Sequence, residues 1–195
     1  MRARVLASEP MPAYLVREVT LTCHPETPSD AVHGITARIR RTEDSLSVRY
    51  VVEGDLDRLR VPAPRAPSVG SCLWEHTCSE IFISCKGRPG YRELNLSPSG
   101  EWAEYAFDNY RQPRPGLSPG EPPQVTVRRG VADRLELDAV VGLVASERRA
   151  VLLLALSAVI EDRQGALSYW ALRHPPGKPD FHHPQGFALE LKAAP

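Results

Sequence analysis

The sequence predicts an all-β fold, an antiparallel two-sheet β-sandwich of immunoglobulin-like or jelly-roll-like type, with about ten strands and little helix. Three observations predict it. Nineteen prolines in 195 residues break any long helical pattern and leave short runs between stiff connections. Those runs alternate apolar and polar residues with the period of two expected of a half-buried strand. The punctuation between them is turn chemistry, most clearly at Gly87-Arg88-Pro89-Gly90 and Ser97-Pro98-Ser99-Gly100.

Taken in order, residues 14–22 (YLVREVTLT) alternate as a first strand, and CHPETPSD after them is a loop. Strands follow over 34–41 and 45–53, joined by Thr42-Glu43-Asp44, and their Arg-rich faces read as a solvated sheet surface. Residues 55–71 form a Pro-rich crossing that could rim a site, and residues 111–123 form a second. QVTVRR (124–129) and RLELDAVV (134–141) pair as a hairpin. VLLLALSAVI (151–160) is the most apolar run and reads as a central strand covered on both faces. EDRQG turns it into a strand over 166–172. The chain closes with a loop, 173–186, crowded with His174, Lys178, Asp180, His182 and His183, and an edge strand over 187–191. Nothing divides residues 1–195 into two self-sufficient halves, so one domain is expected.

The stretch from 72 to 108 is the most informative. It reads as a three-strand meander, over 74–86, 91–97 and from 101 onward. Alternation puts Ile81, Ile83, Cys85, Leu94, Leu96, Tyr105 and Phe107 on a core face. The opposite face receives Trp74, His76, Cys78, Glu80, Phe82 and Ser84, then Tyr91, Glu93, Asn95 and Ser97, then Trp102 and Glu104. Flat rings interleaved with carboxylates and an amide suit a polyhydroxylated ring, whose C–H faces stack on aromatics while its hydroxyls bond the polar groups. The same alternation is also met by tryptophans that merely cover a sheet and by solvated carboxylates.

Charge and composition exclude several classes. Equal numbers of acidic and basic residues leave no net charge, which argues against a nucleic-acid or anionic-membrane partner. No run approaches the roughly 20 apolar residues of a membrane helix, and the first residues lack an apolar signal segment, so a soluble, cytoplasmic protein is expected. Cys23, Cys72, Cys78 and Cys85 show no metal-finger spacing and read as free, mostly buried thiols. The oligomeric state is not legible.

WEHTCSEIFIS followed by YRELNLSPSGEWAEYAFD resembles the central block of the DOMON-like superfamily, in particular its branch related to family nine carbohydrate-binding modules. The pattern is met by Trp74, Glu80, Tyr91, Glu93, Asn95, Pro98 and Gly100, and the resemblance runs from about residue 14 to residue 191. In those modules two tryptophans clamp a sugar and a nearby Glu bonds its hydroxyls. The resemblance therefore implies stacking by Trp74, hydrogen bonding by Glu80, Glu93 and Asn95, a second ring from Trp102 or Trp170, and a rim from His76, Arg173, His174 and the loop to His183. The polar residue expected shortly before the second Trp is not evident in GALSYW.

The implied function is non-catalytic binding of a small ligand, a sugar, with no catalytic residue, metal or obligatory cofactor. Some DOMON-like domains hold haem b through an axial Met with a His or a Lys. With only Met1 and Met11 present, haem here would need histidines alone, for example His76 with His174 or His182. An interaction domain with no small ligand is the other alternative. Glu80, Glu93 and Glu104 would share a face, as glycoside hydrolysis needs, but neighbouring strands bring carboxylates together on many sheets that catalyse nothing.

Overall fold

The computed structural model describes residues 16–116, 120–130 and 133–193. The predicted strands are present as β1 (Val16–Cys23), β2 (Val32–Arg41), β3 (Ser45–Gly54), β5 (Cys78–Cys85), β6 (Tyr91–Leu96), β7 (Glu101–Asn109), β9 (Gln124–Gly130), β10 (Arg134–Gly142), β11 (Leu152–Glu161), β12 (Leu167–Ala171) and β13 (Leu189–Leu191). The Pro-rich crossings add two-residue strands, β4 (Ser68–Val69) and β8 (Gln112–Pro113), and one helical turn, α1 (Ala145–Arg148), precedes β11. Among the described residues no helix is long and apolar enough to cross a membrane. Met1 and Met11 lie outside the described residues.

The strands form one continuous hydrogen-bonded path, β4-β7-β6-β5-β11-β12-β1-β2-β3-β10-β9, with β13 added to β11 and β8 to β7. This differs from two separate antiparallel sheets in two respects. The start of β1 pairs along β2, while its end pairs with β12 through Thr22 and Cys23, so a single strand joins the two halves. On the other edge, β4 runs parallel to β7. The path curls on itself, and its inward face is one apolar core: Ile35, Ile39, Val48 and Tyr50 from one half meet Ile81, Leu94, Leu156 and Ile160 from the other. The Tyr50 hydroxyl crosses that core to donate to the Glu80 carbonyl at 2.6 Å. β11 is buried on both faces, as its apolar run predicts, and is paired along both edges, by β5 on one side and by β12 and β13 on the other.

The register of the meander corrects the predicted phase of its third strand. β6 and β7 pair with Leu96 opposite Trp102 and Leu94 opposite Glu104, so residues of the same parity share a face across the Ser97–Gly100 turn. Trp102 therefore goes into the core, and Tyr105 and Phe107 join Glu93 and Tyr91 on the other side. Glu104 also leaves the predicted carboxylate cluster; it is buried in an ion pair with Arg92, which also holds Glu147 of α1. The turn before β6 requires glycine. Gly90 has φ +83, and a Cβ there would lie 2.5 Å from the Phe107 carbonyl oxygen.

All four cysteines are free. Cys78 alone is fully buried, whereas Cys72 is exposed, because it begins the short 3₁₀ turn Leu73–Glu75 that leads into β5.

Candidate functional site

The outer face of the meander is roofed by two loops, and the space between is a cavity of about 390 Å³. Its floor is formed by Glu80 of β5 and Glu93 of β6. Its walls are Trp74, Tyr105, Phe107, Tyr169, Phe181 and the aliphatic Val159, with Arg111 and His182 on the loop side.

Each wall has a local cause. Trp74 is not on a strand: it sits in the 3₁₀ turn after Cys72, whose φ of 52 is left-handed, and packs edge-on against Tyr105 at 5.8 Å. It is 40% exposed, so one side of the indole stays free. Tyr169 reaches the cavity because Val159 pairs opposite it, and both point outward from the sheet. Arg111 occupies the tip between β7 and β8 with φ 51, a left-handed conformation uncommon for a residue other than glycine. Its guanidinium donates to Asp180 Oδ1 at 2.8 Å, and the Tyr110 hydroxyl donates to Asp180 Oδ2 at 2.7 Å. Asp180 thus ties the 173–186 loop to the β7–β8 tip. His182 follows, wedged between Phe82 and Phe107 at 5.3 and 5.1 Å, with Nδ1 2.8 Å from the Tyr91 hydroxyl.

The floor is unusual for its lack of countercharge. Glu80 and Glu93 are 3% and 5% exposed. Glu80 accepts one hydrogen bond, from the Ser157 hydroxyl at 3.1 Å, and Glu93 accepts one from the Asn95 amide at 2.9 Å. His182 Nε2 stands 3.7 Å from Glu93, outside hydrogen-bond range. Burial first, and the neighbouring Glu93 second, push the Glu80 carboxyl up to about 8 against the pull of Ser157 and Arg111. Burial pushes Glu93 up to about 7 against Asn95 and Arg111. Burial, reinforced by Arg111, drives His182 down to about 4, with Asp180 opposing. At neutral pH the site therefore holds at least one proton on the carboxyl pair and a neutral imidazole.

Of the residues predicted from sequence, Trp74, Glu80 and Glu93 line this cavity. Asn95 lies behind them, fully buried, opposite Glu80 on β5. Trp102 and Trp170 do not reach it. Both are core residues at 3% and 6% exposure, and the Trp170 indole donates to Ser168. Trp170 faces inward because it pairs with Ala158, a core position, and the ring on the cavity side is its neighbour Tyr169. His76 lies before β5 and is bonded through Nδ1 to Glu161 at 2.8 Å. Arg173 and His174 line a different groove, with Thr22, Cys23 and His24, and His174 Nε2 bonds the Thr22 carbonyl. Tyr105, Phe107, Arg111 and Tyr169 complete the cavity without having been placed there by sequence, whereas Phe181 and His182 belong to the loop to His183 that the sequence puts at the rim. Counting across the Ser97–Gly100 turn would have found the first two, and no sequence signal marks Arg111.

The histidines do not fit a haem. His76 lines neither cavity, His174 and His182 line different ones, and each has a ring nitrogen within hydrogen-bond distance of a protein oxygen. Among the described residues no group of three or more His, Cys, Asp or Glu is placed to hold a metal ion.

No family model matches the chain, and no curated protein is similar to it in sequence. Solved structures are similar in fold. A protein of Bacteroides uniformis provisionally described as carbohydrate-binding superposes with TM-score 0.57 at 17% identity, over 88% of this chain and 83% of its own. A family nine carbohydrate-binding module from Caldicellulosiruptor kristjanssonii superposes with TM-score 0.51 in its complex with cellotriose and 0.52 in its complex with glucose, at 12% identity in both. The two superpositions cover 83% and 85% of this chain and 75% and 78% of that one. At such identities the likeness shows the fold.

Proposed function

We propose that this chain is a non-catalytic binding domain that takes a saccharide in the meander cavity. The observation that carries the reading is the cavity itself: Trp74, Tyr105 and Tyr169 form flat walls over a floor of two buried carboxyls, in a space at the low end of the roughly 300–1,000 Å³ of small-molecule sites. Rings of this kind stack on the C–H face of a pyranose, and carboxyls exchange hydrogen bonds with its hydroxyls. The similar modules crystallised with cellotriose and glucose support a sugar as the ligand.

The similar structures described as carbohydrate-binding modules support the non-catalytic part of the reading. We further read the curled sheet as a two-layer sandwich of the DOMON-like kind, joined along β1. The shared core and the Tyr50–Glu80 bond across it support that reading.

The test is tryptophan fluorescence against a panel of mono- and disaccharides. Of the three tryptophans, Trp102 and Trp170 are buried in the core, so a ligand in the cavity is reported by Trp74. A saturable change that vanishes in Trp74→Ala is expected. A panel with no saturable response, and no binding by calorimetry, would overturn the saccharide reading.

A further inference from the structure

The hydrogen-bonding groups of the cavity floor are unbalanced. Two carboxyls offer about eight lone-pair sites, of which Ser157 and the Asn95 amide fill two. Behind them, Asn95 Oδ1 is buried without a partner among the described residues, on the same face and directly across from Glu80. Among the described residues the one cationic side chain that lines the cavity, Arg111, is turned to Asp180, and His182 gives its Nδ1 side to Tyr91. The floor therefore presents two carboxyls to which no cation is bonded among the described residues, and beyond the Ser157 and Asn95 bonds its donor is the proton the pair holds at rest. A hydroxyl group brings one donor; a primary ammonium brings three and a full charge. The walls agree, since an ammonium is also attracted to the faces of Trp and Tyr.

We propose that the cavity selects a saccharide bearing a primary ammonium group, an amino sugar, with the ammonium seated on Glu80 and Glu93 and the ring against Trp74 and Tyr105. The proposal rests on the saccharide reading and names its ligand class. Seating the ammonium requires both carboxyls to ionise, and the proton they hold at rest leaves to solvent as the ligand enters. The other titratable and charged groups facing the pair are Arg111 and Asp180, already joined to each other, His182, the hydroxyls of Tyr91, Tyr105, Tyr169 and Tyr50, and the Cys78 thiol. Tyr105, Tyr50 and Cys78 are all pushed above their ordinary values, largely by burial, and His182 below its own. At pH 7 the carboxyl pair is left as the source of the released proton.

The experiment is calorimetric titration of the full chain with D-glucosamine, D-glucose, N-acetyl-D-glucosamine and tetramethylammonium, at pH 7 in buffers of different ionisation enthalpy. Glucosamine is expected to bind at least about tenfold more tightly than glucose or N-acetylglucosamine. Its buffer dependence should show release of about one proton or slightly more. Glu80→Gln and Glu93→Gln, checked for folding by thermal melting, should bring glucosamine to within about twofold of glucose; if either loses glucose too, selectivity and proton release in the unmodified chain decide. Equal binding of glucose, N-acetylglucosamine and glucosamine would overturn the ammonium inference and leave the saccharide reading standing. Tetramethylammonium alone binding would overturn the amino sugar in favour of a non-sugar cation, and silence from all four would overturn both readings.

Discussion

Replacing Glu80 by Gln should make the protein less sensitive to alkali. Gln keeps the shape of a protonated carboxyl but cannot ionise. The Glu80 carboxyl is carried from 4.5 in the unfolded chain to about 8 in the fold, chiefly by burial and then by Glu93. A folded-state value above the unfolded one means that stability is full below about 4.5 and is lost as pH rises through about 8. At roughly 1.4 kcal/mol per pH unit, ionising Glu80 costs the fold on the order of 3–5 kcal/mol, a large part of the 5–15 kcal/mol typical of a whole domain. His182 works in the opposite direction. Held down to about 4, it costs stability only as pH falls from 6.5 through 4, so the window above 6.5 belongs to the carboxyls. Cys78 and Tyr50, both raised by burial, add their own losses at higher pH, but they are common to both proteins and cancel in the difference. Urea unfolding from pH 6.5 to 9 is the assay. Glu80→Gln should exceed the unmodified chain by roughly 3 kcal/mol at pH 6.5, where the unfolded Glu80 is already ionised, and by roughly 5 kcal/mol at pH 9, so the margin should widen by about 2 kcal/mol across the range. Parallel stability profiles would refute the claim that Glu80 is held neutral on the cavity floor.

Arg92→Met should be the most damaging single change in the meander. It strands Glu104 and Glu147, both nearly inaccessible, without their shared cation, and a loss of about 3–5 kcal/mol in urea unfolding is expected. Asp180→Ala cuts the Tyr110 and Arg111 bonds that fasten the 173–186 loop, so limited proteolysis within that loop should accelerate severalfold while global stability falls by about 1 kcal/mol or less. Acrylamide quenching should separate the tryptophans: Trp74→Phe is expected to abolish most of the quenchable emission, because Trp102 and Trp170 lie in the core. Substantial quenching in that variant would contradict the register that turns Trp102 inward.

How much of this was legible follows from what each signal depends on. The strands were visible because alternation and turn residues are local, and even the doubly buried β11 showed itself as an unbroken apolar run. Glu80, Glu93 and Asn95 were placed on one face correctly, since β5 and β6 each carry an unambiguous apolar parity in Ile81, Ile83, Leu94 and Leu96. β7 offered no such guide. Trp102, Tyr105 and Phe107 are all large and aromatic on both parities, so hydrophobicity alone assigned the phase, and assigned it wrongly. The turn register decided it instead.

The same ambiguity recurs at Tyr169 and Trp170, adjacent rings of which one must enter the core and the other leave it. The choice is made by their partners on β11. Ala158 leaves room in the core for an indole, while Val159 faces the cavity and puts the Tyr169 ring beside it. The roof has a different origin again. Arg111 and Asp180 are 69 residues apart, and neither sits in a regular element, so no periodicity could pair them. What brings them together is the fold itself: β8 returns along β7 at the meander's outer edge, while the loop after β12 must cross the same face to deliver β13 to β11. The carboxyl floor belongs to local sequence, and the enclosure that buries it and keeps it protonated belongs to topology. Loosening the Asp180 latch should therefore lower the Glu80 and Glu93 carboxyls toward ordinary values, a shift that pH titration of their carboxyl NMR signals in Asp180→Ala would register; unchanged titration would show that the strands alone desolvate the pair.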